Sequence, residues 1–450
     1  MKVLNKVRKG FYADSVALMR VAREISKDGI EASLMIGTPS NKALLKDSGL
    51  LAKEGESARP DDLIIAVKGR DAEAALALAE KLLTSKPASG NSKESFSTLN
   101  AAIASLENAN LALISVPGAF AAAEARRALE RGLHVMMFSD NVPVEDEVKL
   151  KDLALSKGLL LMGPDCGTAL IAGAPLAFAN AVPRGDVGIV SASGTGLQEV
   201  STLLARQGKG VSHGIGVGGR DLSEKVGGRM TLAALEALEA DPATKRIIVI
   251  SKPPAPSVAK KVLQKVKGLR KPVVLCLLGS RDKNIKKTLE EAAGFKPKST
   301  ATTKKAKGRI IGLFCGGTLC AEAEIVLADA GVPAKARQLV DLGDDEYTQG
   351  RPHPMIEPEL RNAHVVRALK DPKVGVLLLD MVIGYGAHAD PAGLVAPLVK
   401  KTKKLVIASV TGTEQDPQVY SRQVRVLEDA GVVVAESNAQ AARIAAQALR

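Results

Sequence analysis

Two short stretches of this sequence carry residue types suited to holding anions. Ser193-Gly194-Thr195 and Gly316-Gly317-Thr318 each follow an apolar run and lead into a helical pattern. A helix N-terminus leaves about four backbone N–H groups without intrahelical partners and carries roughly half a positive charge. Small residues ahead of it let a phosphate or carboxylate reach the backbone, and a hydroxyl adds a cap or a donor. Thr195 and Gln198 also have the spacing of a capping box. A Gly-Thr cap on a purely structural helix reads the same way, so one turn alone says little. Two matching turns say more, and together they are expected to form one phosphate or carboxylate site.

The histidines offer proton chemistry. His388 lies in Gly384-Tyr385-Gly386-Ala387-His388-Ala389-Asp390-Pro391, where a glycine-rich loop would present an imidazole on a sheet rim with Asp390 near enough to orient it. Its expected role is general acid/base or oxyanion donor, and an exposed loop histidine is the plain alternative. His353, in Arg351-Pro352-His353-Pro354-Met355, is a second rim candidate, while His134 opens a strand and reads as structural. His213 precedes the glycine run Gly214-Ile215-Gly216-Val217-Gly218-Gly219-Arg220-Asp221. No clear amphipathic helix follows that run, so it is expected to be a flexible loop beside Ser193–Thr195. Asp380, Glu414 and Asp416 are expected to form an acidic rim. Asn141, Gly163, Asp165 and Cys166 are expected to line another rim, at strand ends where open parallel sheets bind ligands. Neither these residues nor the four cysteines show metal-ligand spacing, so no metal is expected.

The elements that must position them alternate. Val3–Tyr12, Ile30–Ile36 and Asp62–Val67 are expected strands, with helices over Ser15–Ser26 and Ala72–Leu83, giving a small βαβαβα unit. On the first helix Val16, Met19, Ala22 and Ile25 share a face. Strands at Leu111–Val116, His134–Phe138 and Leu159–Met162 then alternate with helices over Ala119–Arg131 and Val144–Ser156. Beyond them lies an internal repeat. Gly185–Thr195 and Gly308–Thr318 are two copies of one strand-turn-helix unit, each followed by two more apolar strands (Arg246–Ile250 and the run from Lys271; Val374–Leu379 and the run from Lys404). Such alternation implies parallel sheets, and two sequential copies imply two similarly wound domains packed face to face. The expected class is α/β, with several doubly wound, Rossmann- or flavodoxin-like parallel-sheet domains. Polar segments 84–98 and 294–308 read as linkers, and the expected boundaries are 1–98, 99–184, 185–305 and 306–450.

The bulk numbers agree. Of 450 residues 46% are hydrophobic but only 2% aromatic, with no Trp, so the cores must be built from Ala, Val, Leu and Ile, as in parallel sheets buried on both faces. The net charge of +13 could suit nucleic acid, but the aromatics that stack bases are scarce, so the expected partner is a small anionic substrate. Runs such as Lys304-Lys305-Ala306-Lys307 and Lys400-Lys401-Thr402-Lys403-Lys404 read as solvated linkers and helix ends. No signal-like stretch opens the sequence and no uncharged apolar run is long enough for a membrane span. With its sparse cysteines, the chain is expected to be cytoplasmic.

These residues carry a resemblance. Leu111–Pro183, with Ser115-Val116-Pro117 and Gly163-Pro164-Asp165-Cys166-Gly167, is similar to the second half of the CoA-binding domain of succinyl-CoA synthetase α subunits. Val187–Thr195 with Gly214–Asp221 resembles their first ligase-CoA domain, whose helix at the place of Thr195 points at a phosphohistidine. The domain order resembles NDP-forming acyl-CoA synthetase α subunits. Over essentially the whole chain the sequence resembles the FdrA family, through Tyr12-Ala13-Asp14-Ser15-Val16, Met35-Ile36-Gly37-Thr38, Gly163–Thr168, Ser193-Gly194-Thr195, His353-Pro354-Met355 and Asp380 through Pro391.

That resemblance names the four expected segments an N-terminal module, a CoA-binding-like domain and two ligase-CoA-like domains. It implies a carbamoyltransferase subunit of allantoin breakdown, moving a carbamoyl group between a small N-carbamoyl acid (oxalurate/oxamate type) and phosphate by way of carbamoyl phosphate. It further implies no required cofactor, other carbamoyltransferase subunits as partners, and a homo-oligomer. The synthetase resemblance implies instead an acyl-CoA synthetase α-type subunit with an ATP-grasp partner. Against it, the loop Leu278-Gly279-Ser280-Arg281-Asp282-Lys283 holds no histidine, and residues 1–83 are not a glycine-rich CoA loop, which argues against CoA binding. A non-catalytic anion-binding scaffold is the third possibility.

Overall fold

In the N-terminal part, one apolar run decides the sheet. The computed structural model describes residues 2–11, 18, 21–22, 24–26, 29–84, 96, 98–106, 108–298, 305–348 and 353–449, and the chain divides into two compact units, one up to Ser105 and one from Leu106 onward. In the first, β1 (Lys2–Arg8), β2 (Glu31–Ile36) and β3 (Leu63–Gly69) are ordered β1-β3-β2, and both outer strands run antiparallel to β3. The expected strands are there, but the parallel βαβ pairing is corrected. Leu63–Val67 are fully buried, so β3 takes the centre. The strands that mix charged and apolar residues take the edges, where exposed backbone is tolerated. The helix Ala72–Thr84 packs through Ala72, Ala75 and Ala79. Of the expected helix over 15–26, Leu18, Val21 and Ile25 are buried, whereas Val16 and Met19 lie outside the described residues. Most of the 84–98 linker, and 299–304 of the second, also lie outside them.

The second unit holds three sheets. β4 (Leu111–Ile114), β5 (His134–Met137) and β6 (Leu161–Met162) are parallel, with helices Gly118–Glu130 and Val144–Ser156 between them. Next comes a hairpin that sequence periodicity missed, β7 (Thr168–Ile171) and β8 (Ala174–Ala177). It extends a sheet ordered β12-β11-β9-β10-β7-β8, where β9 (Arg184–Ser191), β10 (Val211–Gly216), β11 (Arg246–Ser251) and β12 (Val273–Leu277) are parallel and β7 is antiparallel to β10. The hairpin strands are only four residues long, and Pro175 fits only because β8 is an edge. The last sheet is all parallel, ordered β14-β13-β15-β16-β17: β13 (Arg309–Phe314), β14 (Arg337–Asp341), β15 (Val374–Val382), β16 (Leu405–Thr411) and β17 (Val433–Ala435).

The repeat is realised as read. β9 leads into the helix Gly194–Ala205 and β13 into the helix Gly317–Asp329. Leu197 and Val200 of the first helix share one buried cluster with Leu319 and Ala323 of the second and with Ala441 and Ala445 of the helix Asn438–Leu449. The two copies thus pack on each other through their first helices. Among the described residues no helix is long and apolar enough to cross a membrane.

The glycine run after β10 is not a flexible loop. Lys151, fully buried, donates to Glu147 (2.8 Å), Asp221 (2.7 Å) and the Val217 carbonyl (3.1 Å). Asp221 also accepts from Met230 N, Thr231 N and Thr231 Oγ1. Gly218 has φ +87°, and a Cβ there would lie 2.5 Å from the Pro164 carbonyl, so the loop is pinned against the Gly163–Pro164 turn. Replacing Lys151 with Ala would bury Asp221 without its cation. Removing one partner of a buried pair costs about 3–5 kcal/mol, so urea unfolding of Lys151→Ala should show a stability loss of that order.

Candidate functional site

Ser193 starts the Gly194 helix. Its backbone is extended (φ −148°, ψ 124°), and its Oγ accepts from Gly196 N at 2.9 Å. Ser191 Oγ in turn accepts from Ser193 N and donates to its carbonyl. Thr195 therefore sits inside the first turn and is not the cap. Gln198 does not reach back to it but donates to Asn180 Oδ1 at 3.1 Å, which corrects the capping-box reading.

The second turn faces the first. A Cβ on Gly316 would lie 2.9 Å from both Thr195 Oγ1 and Thr195 Cγ2, so this approach requires glycine. The turns that match in sequence therefore meet in space. Their electrostatics differ. Asp380, fully buried, accepts from Cys315 N (2.8 Å) and Gly316 N (2.9 Å) and is paired with Arg361 (3.3 Å). Asp341, at the end of β14, places its carboxylate against Gly317, and exposed Lys252 comes within 3.0 Å of the Cβ position there. Burial pushes the Asp341 carboxyl up to about 6, against the pull of Lys252 and of the Gly343 N–H. The Gly317 turn thus already carries two internal carboxylates. Beside the Gly194 turn lies Thr168 Oγ1 instead, 3.0 Å from where a Cβ on residue 194 would be. That hydroxyl belongs to a residue 1% exposed and has no hydrogen-bond partner among the described residues.

Both rim histidines lie by the last sheet. His388 Nδ1 accepts from Asp390 N at 3.0 Å, and the His388 backbone N–H donates to the Met355 carbonyl at 2.8 Å. The Asp390 carboxylate caps the helix Pro391–Val399 through Gly393 N and accepts from Gln423, while the Asp390 backbone N–H meets the ring. His353 Nδ1 accepts from Met355 N, and the ring centroid lies 5.9 Å from that of Phe178. Its Nε2 and the Cys315 carbonyl both crowd Gly343, which brings this imidazole near the Gly317 turn. Burial lowers it to about 4, so it is neutral at pH 7 with its proton on Nε2.

The remaining candidates fall elsewhere. Asp380 and Asp416 are 0% and 2% exposed, so no acidic rim forms; Asp416 ties Ala181, Asn180 and Thr413 together. Glu414 is exposed and accepts from Ser421 N and Oγ. Cys166 points inward, donating to the Thr168 and Gly216 carbonyls, and burial pushes its thiol up to about 12. Asn141 (φ 53°) packs its backbone on Gly118, while Gly163 and Asp165 lie beside Gly218 and Gly219. His134 accepts from Leu160 N, and His213 from Ala172 N. Sequence reading missed Thr168, Lys252 and Asp341. Lys252 and Asp341 stand at or just past the ends of β11 and β14, which was the usable signal, but β14 itself was not read. Among the described residues no group of three or more His, Cys, Asp or Glu could hold a metal ion.

The CoA-ligase family model matches residues 313–448, the segment that holds the second of the duplicated parallel-sheet domains. The chain belongs to the family of the uncharacterized protein YahF of Escherichia coli K12, with 41% identity over 97% of each chain. Over 148 residues, 32% of this chain and 47% of the relative, it is 33% identical to the α subunit of ADP-forming succinate–CoA ligase from Aquifex aeolicus. Over 149 residues, 32% of this chain and half of the relative, it is 28% identical to the ADP-forming sulfoacetate-CoA ligase subunit SauD of Bilophila wadsworthia. Residues 1–98 match the model of the AllF heavy metal-associated domain. That segment contains neither Cys nor His, so the thiolate and imidazole ligands that favour heavy metals are missing from it.

Asp341 gives the site a pH signature. Its folded carboxyl holds a proton more tightly than the unfolded chain does, so its stabilising share is complete below about pH 4 and lost as pH rises through 6. Thermal midpoints of wild type should fall across that window relative to Asp341→Asn, in which this slope is absent.

Proposed function

We propose that this chain is an α-type subunit of an acid–CoA ligase-like enzyme and that its Gly194 turn holds the phosphate of an acyl phosphate. The observation that carries this reading is Thr168: a buried hydroxyl, unpartnered among the described residues and beside a helix N-terminus, would give an anion there one more donor, whereas the other turn is filled by Asp380 and Asp341. Unsatisfied N–H groups and the helix dipole would stabilise the phosphate and the oxyanion developing at the acyl carbon. A thiolate attacking that carbon forms the C–S bond as the C–O bond to phosphate breaks, and phosphate leaves with the electron pair. The relatives named as ligase subunits support this class, and a partner chain would supply the nucleotide chemistry.

A second reading is favoured by the loop Leu278–Lys283, which follows β12 and holds no histidine for a phosphoryl relay. Carbamoyl phosphate is the same kind of mixed anhydride, and forming it from phosphate and an N-carbamoyl acid requires only orientation. Phosphate oxygen would attack the carbamoyl carbon, the C–N bond to the departing amide would break, and His388 could give that nitrogen its proton. The FdrA resemblance points the same way.

Two assays separate the readings, each run with candidate partner subunits. ADP formed from ATP, CoA and a carboxylic acid would support the ligase reading. Phosphate released from carbamoyl phosphate only when oxamate is present would support carbamoyl transfer, and silence in both would leave an anion-binding scaffold. The site itself is tested with Thr168→Val. A hydrogen bond to a charged group contributes about 1.5–3 kcal/mol, so phosphate affinity by calorimetry should fall about tenfold or more. Stability should not fall, because the lost hydroxyl has no partner.

A further inference from the structure

The sixth residue of each repeat's first helix is a buried glutamate, Glu199 in one and Glu322 in the other. Each reaches across to the opposite repeat. Glu322 Oε1 accepts from Leu289 N at 2.5 Å, the first residue of the helix Leu289–Ala293 that closes the first repeat. Glu199 Oε1 accepts from Asn438 N at 3.1 Å, the first residue of the helix that closes the second. Of the other oxygens, that of Glu199 is also held across the boundary, accepting from Thr411 Oγ1 at 2.5 Å, while that of Glu322 accepts from Asn438 Nδ2 of its own repeat at 2.7 Å. Asn438 thereby binds both carboxylates. The exchange is symmetric, and it acts on the two helices whose N-termini form the facing turns.

Few charges surround this pair. Glu290 accepts from Ser437 and is paired with Arg443 at 2.7 Å. Arg206 lies near Glu199, stacked on Tyr420 with 4.7 Å from guanidinium carbon to ring centroid. Cys276 borders Glu322. Three carboxyls thus share two arginines in a dry boundary, so both members of the central pair cannot ionise cheaply. Burial raises both, Glu322 to about 8.

We propose that Glu199 and Glu322 are positioning residues, a proton-linked clamp that holds the two turns in register while the pair keeps a proton and loosens when both ionise. The capping is independent of the reading of the Gly194 turn as an anion site; the effect on anion binding rests on it. The sign follows from the raised carboxyl. The folded chain keeps the proton up to about pH 8 while the unfolded chain has lost it, so stability declines with rising pH and levels off above 8.

The test follows sulfate binding by calorimetry, thermal midpoints, and amide exchange at Leu289 and Asn438, between pH 6.5 and 9.5. Sulfate keeps its charge throughout, so any step belongs to the protein. Wild type should lose about fivefold or more in sulfate affinity across pH 8, within the range of ordinary site coupling. Its Leu289 and Asn438 amides should lose protection over the same interval. Glu322→Gln, a stand-in for the protonated acid, should keep the neutral-pH affinity and protection and abolish the step. Glu322→Ala should expose the Leu289 amide, whose acceptor it removes, at every pH. A Gln variant that keeps the step, or amides whose protection ignores both pH and substitution, would overturn the clamp. If wild type binds no sulfate at any pH while the amides behave as stated, the anion reading fails and the clamp stands.

Discussion

Thr195 lies against Gly316 so closely that no side chain fits between the two turns, and much of the second unit follows from holding that approach. Two helices must enter from opposite repeats with their N-termini face to face. Helix dipoles aligned in this way repel, so the approach must be stabilised elsewhere. It is stabilised behind the turns, by the apolar cluster that joins Leu197 and Val200 to Leu319 and Ala323, and by hydrogen bonds exchanged between repeats. Carboxylates supply the remainder. Asp380 lies under one turn and Asp341 over it, and negative charge beside a helix N-terminus is favourable.

The duplication is therefore structural symmetry with electrostatic asymmetry. One turn has its positive end satisfied from within by Asp380, itself fixed by Arg361. The other keeps an unpartnered hydroxyl beside it. Copies of one motif diverge in this way when only a few side chains differ, and here they are Thr168, Asp341 and Asp380. Lys252 complicates the division, because it comes from the first repeat but reaches the turn of the second.

Legibility in the sequence followed range. The repeat, its strands and its two turns were readable because each depends on neighbours a few residues away: β9 and β13 are apolar runs closed by Gly-Thr, and Val144–Ser156 was read to the residue. The first sheet was misread because alternation specifies strands but not their partners, and β3 takes the centre through burial that only the folded chain reveals. Hairpin β7–β8 was invisible because four-residue strands carrying Pro175 give no periodic signal. Ser193–Thr195 and Gly316–Thr318 are readable as helix starts because the glycines and hydroxyls that mark them are local. The acidic rim was not real, since Asp380 and Asp416 are spent on backbone N–H groups. Thr168 could not be found from sequence, for an unsatisfied hydroxyl is defined by what surrounds it.

The stack of Arg206 on Tyr420 bridges the two repeats, Arg206 following the Gly194 helix and Tyr420 opening a helix beyond β16. The chain has four tyrosines and no tryptophan. With no indole to capture their excited-state energy, ultraviolet emission of this chain comes from those four phenols, and one of them reports on the seam between the repeats, where a guanidinium lies against its ring.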